Sequence, residues 1–403
     1  MKKYFIIAAA AALALASCAK FETYTETNDE LIPIAFSNYT PKPLSRVGDT
    51  YVSSNTLVDG KQFAVYAWQT ANGSFLSATP GTPNFMNPAK VTYNNDNSTG
   101  EGNTYTPVRF WPAGDTPSNL SFTAYYPYAD SGTGITAPTF SGNVGAYAFT
   151  AQAAAANMVD FCVADVVNDQ VYGNTNKTSG NNYKGTVNLP FKHMLTKVQF
   201  KFKKATGLGT TTVIELVDAE LSGIKTTGTL TATYAPKNPA GVNVLGTTSY
   251  AWSGQATPAG YEVTLNAVDP ESGSGIALTE SASTVADADI FLMVPQTIAA
   301  DTQKLNVTWN VKVFDTAENA SNHASETNVG TNGLLSITPN TASLSFYSDL
   351  KVSDTNDTPL GSAIQWNRND FITYTITIGP KPIWFTATVD DWATEQNGYF
   401  NAQ

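Results

Sequence analysis

Few side chains in this sequence could perform acid–base or nucleophilic chemistry. The 403 residues include two histidines, His193 and His323, and two cysteines, Cys18 and Cys162. His193 opens a strand-like apolar segment, where packing or hydrogen bonding is the expected role, and His323 lies in a polar loop without a partner at useful spacing. Cys162 lies in the apolar segment MVDFCV and is expected to be a buried structural thiol. No HExxH, GxSxG, P-loop or dinucleotide motif is present, so the sequence predicts no enzyme, no metal site and no other cofactor.

Two close pairs of carboxylates leave one catalytic alternative open. Asp390 and Asp391 are adjacent, and Asp160 and Asp165 are close in sequence. A glycosidase needs two carboxyl groups that face each other across a sugar, and sequence spacing alone does not exclude this arrangement. The remaining acidic residues are scattered, so catalysis is the less favoured interpretation.

Three tryptophans in turn-like contexts offer a second alternative, which is glycan binding. They are Trp111, Trp252 and Trp366. An exposed indole ring can stack on a sugar, whereas core packing is the usual role of this side chain. A glycan platform therefore depends on these rings being exposed.

The N-terminus has the features of an export signal. Lys2 and Lys3 precede an apolar run over residues 5–16, which is too short to span a bilayer as a permanent helix. The run ends in LASC, which resembles a bacterial lipobox. We expect a lipoprotein signal peptide over residues 1–17, with Cys18 as the acylated first residue of the mature chain. The alternative is an ordinary signal peptide followed by a chance cysteine.

The composition favours strands and argues against nucleic acid as a partner. Charged residues make up 14% of the chain, whereas about a quarter is usual, and the net charge is −11. Such a chain repels polyanions. The one dense basic cluster, on or beside a predicted strand, is interpreted as a solvated strand face or a guarded edge. Its members are Lys197, Lys201, Lys203 and Lys204.

Hydrophobic residues repeat with a period of two in many short segments. In residues 305–313, valine, leucine and tryptophan at odd positions alternate with polar residues, which places Lys312 on the solvent face. Residues 198–202, 372–378 and 63–67 show the same alternation. Many half-buried strands separated by loops rich in Gly, Asn and Pro predict an all-β protein built of β-sandwiches.

Polar stretches divide the chain. Residues 173–183 are almost entirely polar and precede a strong series of strands, so we interpret them as an interdomain linker. This predicts an N-terminal domain over 18–180 and a C-terminal domain over 181–403. A separate apolar strand at 31–37 is followed by an exposed, loop-like segment, 38–49, which contains Arg46.

Taken together, these motifs resemble the fimbrillin family, the type V pilins of Gram-negative surface fimbriae. Each motif is loose, but their order and spacing extend over nearly the whole chain. They are the lipobox at Cys18, IPIAFS (32–37), FAVYAW (63–68), VRFWP (108–112), LSFTAYYP (120–127), LPFKHMLTKV (189–198), FLMVPQ (291–296) and the segment 366–374.

The resemblance implies a fold and a route of assembly. Members have two transthyretin-like β-sandwich domains in tandem and are exported as outer-membrane lipoproteins. An arginine- or lysine-specific protease then removes the N-terminal segment with its first strand, here about 31–46. Arg46 matches the expected cleavage position, with Lys42 as a competitor that Pro43 disfavours. In the precursor, Ile32, Ile34 and Phe36 of this strand would fill the groove, which its removal leaves vacant.

The resemblance also implies partners, and it leaves the role of the C-terminus open. A strand from another pilin subunit fills the vacated groove, and the candidate donor is residues 381–403, with Ile383, Phe385 and Val389 on one face. Alternatively, this segment is simply the last strand of its own domain. The expected partners are other pilin subunits, lipoprotein signal peptidase, an arginine-specific protease and a host glycan or protein receptor. The competing function is a monomeric surface lipoprotein or tip adhesin that binds host or dietary glycans.

Overall fold

The structure is a computed structural model that describes most of the chain. The described residues are 32–38, 60–71, 75, 81–94, 103–112, 118–130, 132–170, 186–234, 248–263, 275–281, 283–284, 290–298, 301–347, 349–353, 356–359, 363–380 and 384–391. The signal segment, Cys18, Lys42, Arg46 and the predicted linker 173–183 lie outside them. Within the described residues, no helix has the length and apolarity that crossing a membrane requires.

Most of the described residues are in strands, and the regular structure is almost entirely β. The helical elements among them are one α-helix, α1 (Ala317–Asn322), and a 3-10 turn, Ala155–Asn157. The strands are β1 (Ala35–Asn38), β2 (Gln62–Ala71), β3 (Met86–Thr92), β4 (Thr104–Tyr105), β5 (Ser118–Tyr126), β6 (Thr139–Ser141), β7 (Val144–Thr150), β8 (Cys162–Ala164), β9 (Val167–Gln170), β10 (Thr186–Leu189), β11 (Phe191–His193), β12 (Thr196–Lys204), β13 (Thr212–Tyr234), β14 (Thr248–Glu262), β15 (Ile276–Ala277), β16 (Ser283–Thr284), β17 (Phe291–Met293), β18 (Gln296–Ile298), β19 (Lys304–Phe314), β20 (Leu334–Ser345), β21 (Lys351–Ser353), β22 (Asn356–Pro359), β23 (Ile364–Trp366), β24 (Asp370–Ile378) and β25 (Trp384–Asp391).

Three sheets form the layers of the molecule. Sheet 1 has the order β11-β8-β5-β2-β3-β4, with β9 also paired to β5. Sheet 2 has the order β20-β19-β13-β7-β6, with β14 and β15 also paired to β13. Sheet 3 has the order β16-β12-β24-β25, with β17 also paired to β12. Strand β1 pairs with β10, β18 with β23 and β21 with β22.

Three large hydrophobic cores lie between these layers. Core 1 covers one face of sheet 1 and includes residues of β1 and β10. Core 2 lies between the other face of sheet 1 and sheet 2. Core 3 lies between sheet 2 and sheet 3. Because alternate side chains leave opposite faces of a strand, the period-two segments supply all three.

One long strand connects two of the cores. β13 runs for 23 residues, from Thr212 to Tyr234. Ile214 and Leu216 in its first half pack into core 3, whereas Leu230 and Ala232 in its second half pack into core 2. At about 3.3 Å per residue, it is long enough to reach across both of these cores.

The predicted all-β class is confirmed, whereas the tandem count and the boundary at residue 180 stay predictions. Residues after that boundary contribute to cores that residues before it also build. Val187, Leu189 and Phe191 belong to core 1, together with Phe63 and Phe122.

The expected solvent exposure is wrong for two lysines on strands, Lys197 and Lys312, whereas Lys201, Lys203 and Lys204 of the basic cluster are partly exposed. Lys197 is 1% exposed, and its Nζ lies 4.2 Å from the centre of the Phe371 ring, because β12 lies inside sheet 3 between β24 and β17 rather than at an edge. Lys312 is fully buried, and its Nζ contacts Glu215 Oε1 at 2.6 Å and donates to the Ala324 carbonyl at 3.0 Å. The face that the sequence assigned to solvent is therefore covered here by the segment after α1.

Candidate functional site: the groove of the N-terminal strand

The N-terminal segment 32–38 is held along its backbone by two different parts of the chain. Strand β1 runs parallel to β10, with partners from Ala35 and Thr186 to Asn38 and Leu189. Before β1, Ile34 N donates to the Arg109 carbonyl at 2.9 Å. In the same ladder, Trp111 N donates to the Ile32 carbonyl at 2.9 Å. The segment therefore has a ladder with residues 109–111 at its start and a ladder with β10 at its end.

Polar side chains close this groove over the backbone. The Tyr105 hydroxyl donates to the Ile34 carbonyl at 2.8 Å, and Asn103 Nδ2 donates to the Phe36 carbonyl at 3.0 Å. Ser37 Oγ donates to Asn188 Oδ1 on β10. Burial raises the pKa of Tyr105 above its usual value, since the ionised phenolate would lose solvation, and this effect outweighs the opposing contacts with Arg109. The neutral hydroxyl is the form that holds the strand.

The apolar side chains of the segment point into core 1. Ile34 is 2% exposed and Phe36 is 1% exposed, whereas Ile32 is half-buried. The Phe36 ring centre lies 5.9 Å from that of Phe122 and 5.4 Å from that of Tyr105. These distances suit tilted and edge-on aromatic contacts. The three predicted groove fillers thus lie against core 1, two of them fully inside it.

The candidate donor strand lies on its own sheet. β25 pairs antiparallel with β24, from Thr377 with Trp384 to Asp370 with Asp391, and forms the edge of sheet 3. Its Val389 side chain is 55% exposed. This is the arrangement of a last strand of the domain, the alternative that the sequence left open. Ile383 lies outside the described residues, and the structure describes the backbone but not the side chain of Phe385.

The structure brings together three chemically active side chains that the sequence analysis did not connect. His193 Nδ1 lies 2.7 Å from Asp160 Oδ2, and Cys162 Sγ lies 3.1 Å from the same oxygen. All three residues are buried. Burial and the nearby Asp160 carboxylate raise the pKa of the Cys162 thiol well above its usual value. No sequence signal could have paired them, because their contact depends on which strands are neighbours in sheet 1.

Asp160 and Asp165, one of the two carboxylate pairs of the glycosidase alternative, are each held by other side chains. Asp160 contacts His193, while Asp165 Oδ2 lies 2.9 Å from Lys192 Nζ and Asp165 Oδ1 accepts from the Tyr250 hydroxyl at 3.0 Å. Both aspartates are buried. Asp390 and Asp391 lie at the end of β25, and the structure describes only their backbone.

The tryptophans do not form an exposed platform. Trp111 is 3% exposed and packs on Phe122, and Trp366 is fully buried and donates to the Tyr374 hydroxyl at 2.8 Å. Trp252 is half-buried and donates to the Met194 carbonyl at 2.8 Å. These three rings therefore serve core packing rather than glycan stacking.

The fold is similar to that of a solved fimbrial protein from Bacteroides. A fimbrial protein from Bacteroides vulgatus ATCC 8482 has a TM-score of 0.59 at 19% identity, with 90% of this chain and 99% of that chain covered. A candidate cell adhesion protein from Bacteroides uniformis ATCC 8492 has a TM-score of 0.42 at 17% identity, with 91% of this chain and 100% of that chain covered. At these identities the likeness concerns the fold alone.

The sequence matches one protein family over most of its length. The profile of the fimbrillin-like family covers residues 50–392. No curated protein matches the chain significantly. The matched range spans sheets 1, 2 and 3 and begins after the strand held in the groove. The chain therefore belongs to the fimbrillin-like family, which confirms the resemblance found in its sequence motifs.

Proposed function

We propose that this chain is a structural subunit of a cell-surface fimbria, assembled by strand exchange after proteolytic removal of its N-terminal segment. Its family and its likeness to a fimbrial protein support a fimbrial or adhesion-related surface protein. The observation that supports strand exchange is that the first described segment, 32–38, buries its Ile34 and Phe36 side chains in core 1. Such a segment is separable from the fold by a single cut in the residues that follow it.

The covalent connection between the N-terminal segment and β2 explains why a cut would release the strand. In the intact chain, residues 39–61 connect the segment to β2, so the strand rebinds as an intramolecular partner at an effective concentration on the order of millimolar. Ile34 and Phe36 each contribute about 1.5–3 kcal/mol through burial. Cleavage after Arg46 removes the tether and leaves only these contacts and the backbone ladder. A competing strand that is supplied by a neighbouring subunit can then take the groove.

The donor in this proposal is the end of the chain, with β25 kept in sheet 3. Residues 392–403 follow β25 directly, and twelve extended residues span about 40 Å. The groove segment 32–38 has seven residues and needs about 23 Å. A neighbouring subunit can therefore insert its last residues without losing the β24–β25 ladder. An added strand requires free backbone N–H and C=O groups at a sheet edge, and apolar pockets for its alternate side chains.

Anchoring and maturation belong to the same proposal. Acylation of Cys18 after cleavage by lipoprotein signal peptidase would hold the precursor at the outer membrane, since several acyl chains give stable attachment at about 0.8 kcal/mol per buried CH₂. An arginine-specific protease then frees the subunit by cutting at Arg46. In this account the protein works by binding and assembly, without catalysis. Arg46→Gln should block release of the N-terminal segment while leaving acylation intact.

The experiment treats the purified full-length precursor with an arginine-specific protease and follows its size by chromatography. Polymers are expected from the full-length protein, and none from Arg46→Gln or from a version that ends at Asp391. The version that ends at Asp391 keeps β25, so it separates the role of residues 392–403 from that of the strand itself. A version that ends at Gly379 additionally removes β25.

Each outcome decides between named alternatives. Cleavage at Arg46 that leaves a stable monomer at high protein concentration contradicts self-assembly and favours a tip adhesin or a monomeric surface lipoprotein. Polymers from the version that ends at Asp391, but not from the one that ends at Gly379, would identify β25 itself as the donor. Saturable polysaccharide binding by the monomer would support the competing glycan-binding function.

A further inference from the structure

A cluster of three potential metal ligands lies on the core 1 face of sheet 1, and none of its members is one of the groove residues discussed above. The ligand atoms are Asp160 Oδ2, Cys162 Sγ and His193 Nδ1. The oxygen lies 2.7 Å from the nitrogen and 3.1 Å from the sulfur, and the sulfur lies 3.8 Å from the nitrogen. All three atoms lie within 4.8 Å of one another.

The strand register of sheet 1 creates this cluster. β8 and β11 are antiparallel neighbours in which Cys162 and His193 are directly opposite. Opposite residues in such a pair point to the same face, with their side chains in contact. Asp160 precedes Cys162 by two positions, which also favours the same face. The backbone therefore holds three ligands of different chemistry at one point.

The Asp160 carboxylate is an independent indication that the cluster is incomplete. Asp160 is 8% exposed, and its second oxygen, Oδ1, is buried without a hydrogen-bond partner among the described residues. A buried carboxylate oxygen without a partner is costly, because it has lost its contacts with water and gained none from the protein. A positive ion at this position would remove the deficit.

We propose that Asp160, Cys162 and His193 bind one divalent transition-metal ion, with Zn²⁺ as the best match. Zinc takes sulfur, nitrogen and oxygen ligands together, whereas Mg²⁺ and Ca²⁺ prefer oxygen alone. A thiolate and a carboxylate offset the two positive charges, and a neutral imidazole completes a set that is electrically balanced. A soft thiolate in the set excludes the hard cations on chemical grounds.

The distances fit such an ion after small side-chain shifts. At zinc–ligand distances of about 2.0–2.3 Å, tetrahedral ligand atoms lie roughly 3.3–3.7 Å apart. The sulfur–nitrogen distance of 3.8 Å lies just above this range, while the two distances from Asp160 must open by about half an ångström. Asp160 Oδ1 is bonded to the same carbon as Oδ2, so a bidentate carboxylate supplies a fourth contact without another residue. On binding, the thiol and the imidazole each lose any proton that they carry on the ligating atom.

The site would be structural rather than catalytic. The cysteine and the histidine are at most 3% exposed, so no open position faces solvent. The ion would link β8 to β11, the edge strand of sheet 1, beside Phe191 of core 1. Such a link stabilises the folded state by an amount that grows with the logarithm of the metal concentration above the Kd, because the unfolded chain lacks the site.

Cobalt substitution tests the proposal directly. We would use the full chain with Cys18→Ser, so that Cys162 is the only thiol, and add Co²⁺ both to the folded protein and during refolding. The expected result is one equivalent of cobalt with a thiolate-to-cobalt charge-transfer band, which zinc removes by displacement. Cys162→Ser should lose the band, and His193→Gln should weaken affinity by about tenfold or more. His323→Gln is the matched control, because His323 lies after α1 and away from the cluster.

The contradicting results are equally clear. Absence of a charge-transfer band under both loading conditions would show that the three side chains form only a hydrogen-bonded cluster. A band that survives Cys162→Ser would place the cobalt elsewhere. Because the charge-transfer band is read on a protein that retains all three ligands, instability of the other variants does not remove the test.

Discussion

The two terminal strands of the described chain are held in different ways. The N-terminal segment 32–38 inserts Ile34 and Phe36 into core 1 and has backbone partners on both its early and late parts. By contrast, β25 forms the edge of sheet 3 and leaves Val389 largely exposed. Burial inside a sandwich makes a strand essential to its core, whereas an edge strand contributes mainly its ladder. A buried strand is replaced only by another strand with matching side chains, while an edge can be extended.

The largest effect is expected from emptying the main pocket of the groove. Phe36→Ala should lower the free energy of unfolding of the precursor by about 3–5 kcal/mol, because a fully buried aromatic ring is lost next to Phe122. Denaturant unfolding measures the loss. A decrease below about 1 kcal/mol would show that the strand adds little to core 1. The N-terminal segment and β25 would then not differ in how strongly their side chains stabilise the fold.

A smaller effect is expected from removing the Tyr105 hydroxyl above the groove. This hydroxyl donates to the Ile34 carbonyl at 2.8 Å and accepts from Arg109 N at 3.2 Å, and Tyr105→Phe should cost about 0.5–1.5 kcal/mol. The ring stays, so packing on Phe36 is retained. Hydrogen exchange at the Ile34 amide, which donates to the Arg109 carbonyl, should become faster in this variant. Unchanged exchange there would mean that the hydroxyl does not hold the strand.

The stability that the Tyr105 hydroxyl contributes should depend on pH in the alkaline range. The folded pKa of Tyr105 is raised by burial, so its contribution to stability is complete below the ordinary pKa of 10.0 and is lost as pH rises through the folded pKa. Other buried tyrosines, such as Tyr125 with a pKa of about 12, act in the same direction. Protection of the N-terminal strand should therefore fall less above pH 10 in Tyr105→Phe than in the unaltered protein. Equal losses in both proteins would contradict this.

The smallest effect is expected at the other end. Val389→Ser should change the free energy of unfolding by about 0.5 kcal/mol or less, since the side chain is largely exposed. It is the matched control for Phe36→Ala, because both truncate an apolar residue in a terminal strand. A cost of 2 kcal/mol or more, on the order of a buried-core substitution, would show that β25 is packed as firmly as the N-terminal strand.

The sequence predicts local features of the groove better than its long-range partners. The alternation of Ile32, Ile34 and Phe36 predicts one buried face, because period two is a local property of a strand. Ser37 and Asn188 are 151 positions apart, and nothing in either segment specifies that they pair. The contact between Asp160 and His193 could not be predicted for the same reason, because it also depends on long-range strand pairing.

Lys312 shows the same limit in the prediction of burial. Alternation identifies the two faces of β19 but does not say what covers each one. Glu215 and the Ala324 carbonyl both contact Lys312 Nζ, so a charged residue lies on a covered face. Buried charges of this kind depend on a partner that is distant in sequence.

The most direct test of strand exchange asks which segment occupies the groove before and after cleavage. A photo-crosslinking amino acid at position 188, opposite Ser37 on β10, reports the neighbouring strand. Before cleavage, mass spectrometry should find crosslinks to residues 32–38 of the same chain. After an arginine-specific protease cuts at Arg46, our account predicts crosslinks to residues 392–403 of a second copy. Crosslinks that still lead to residues 32–38 in assembled material would contradict it.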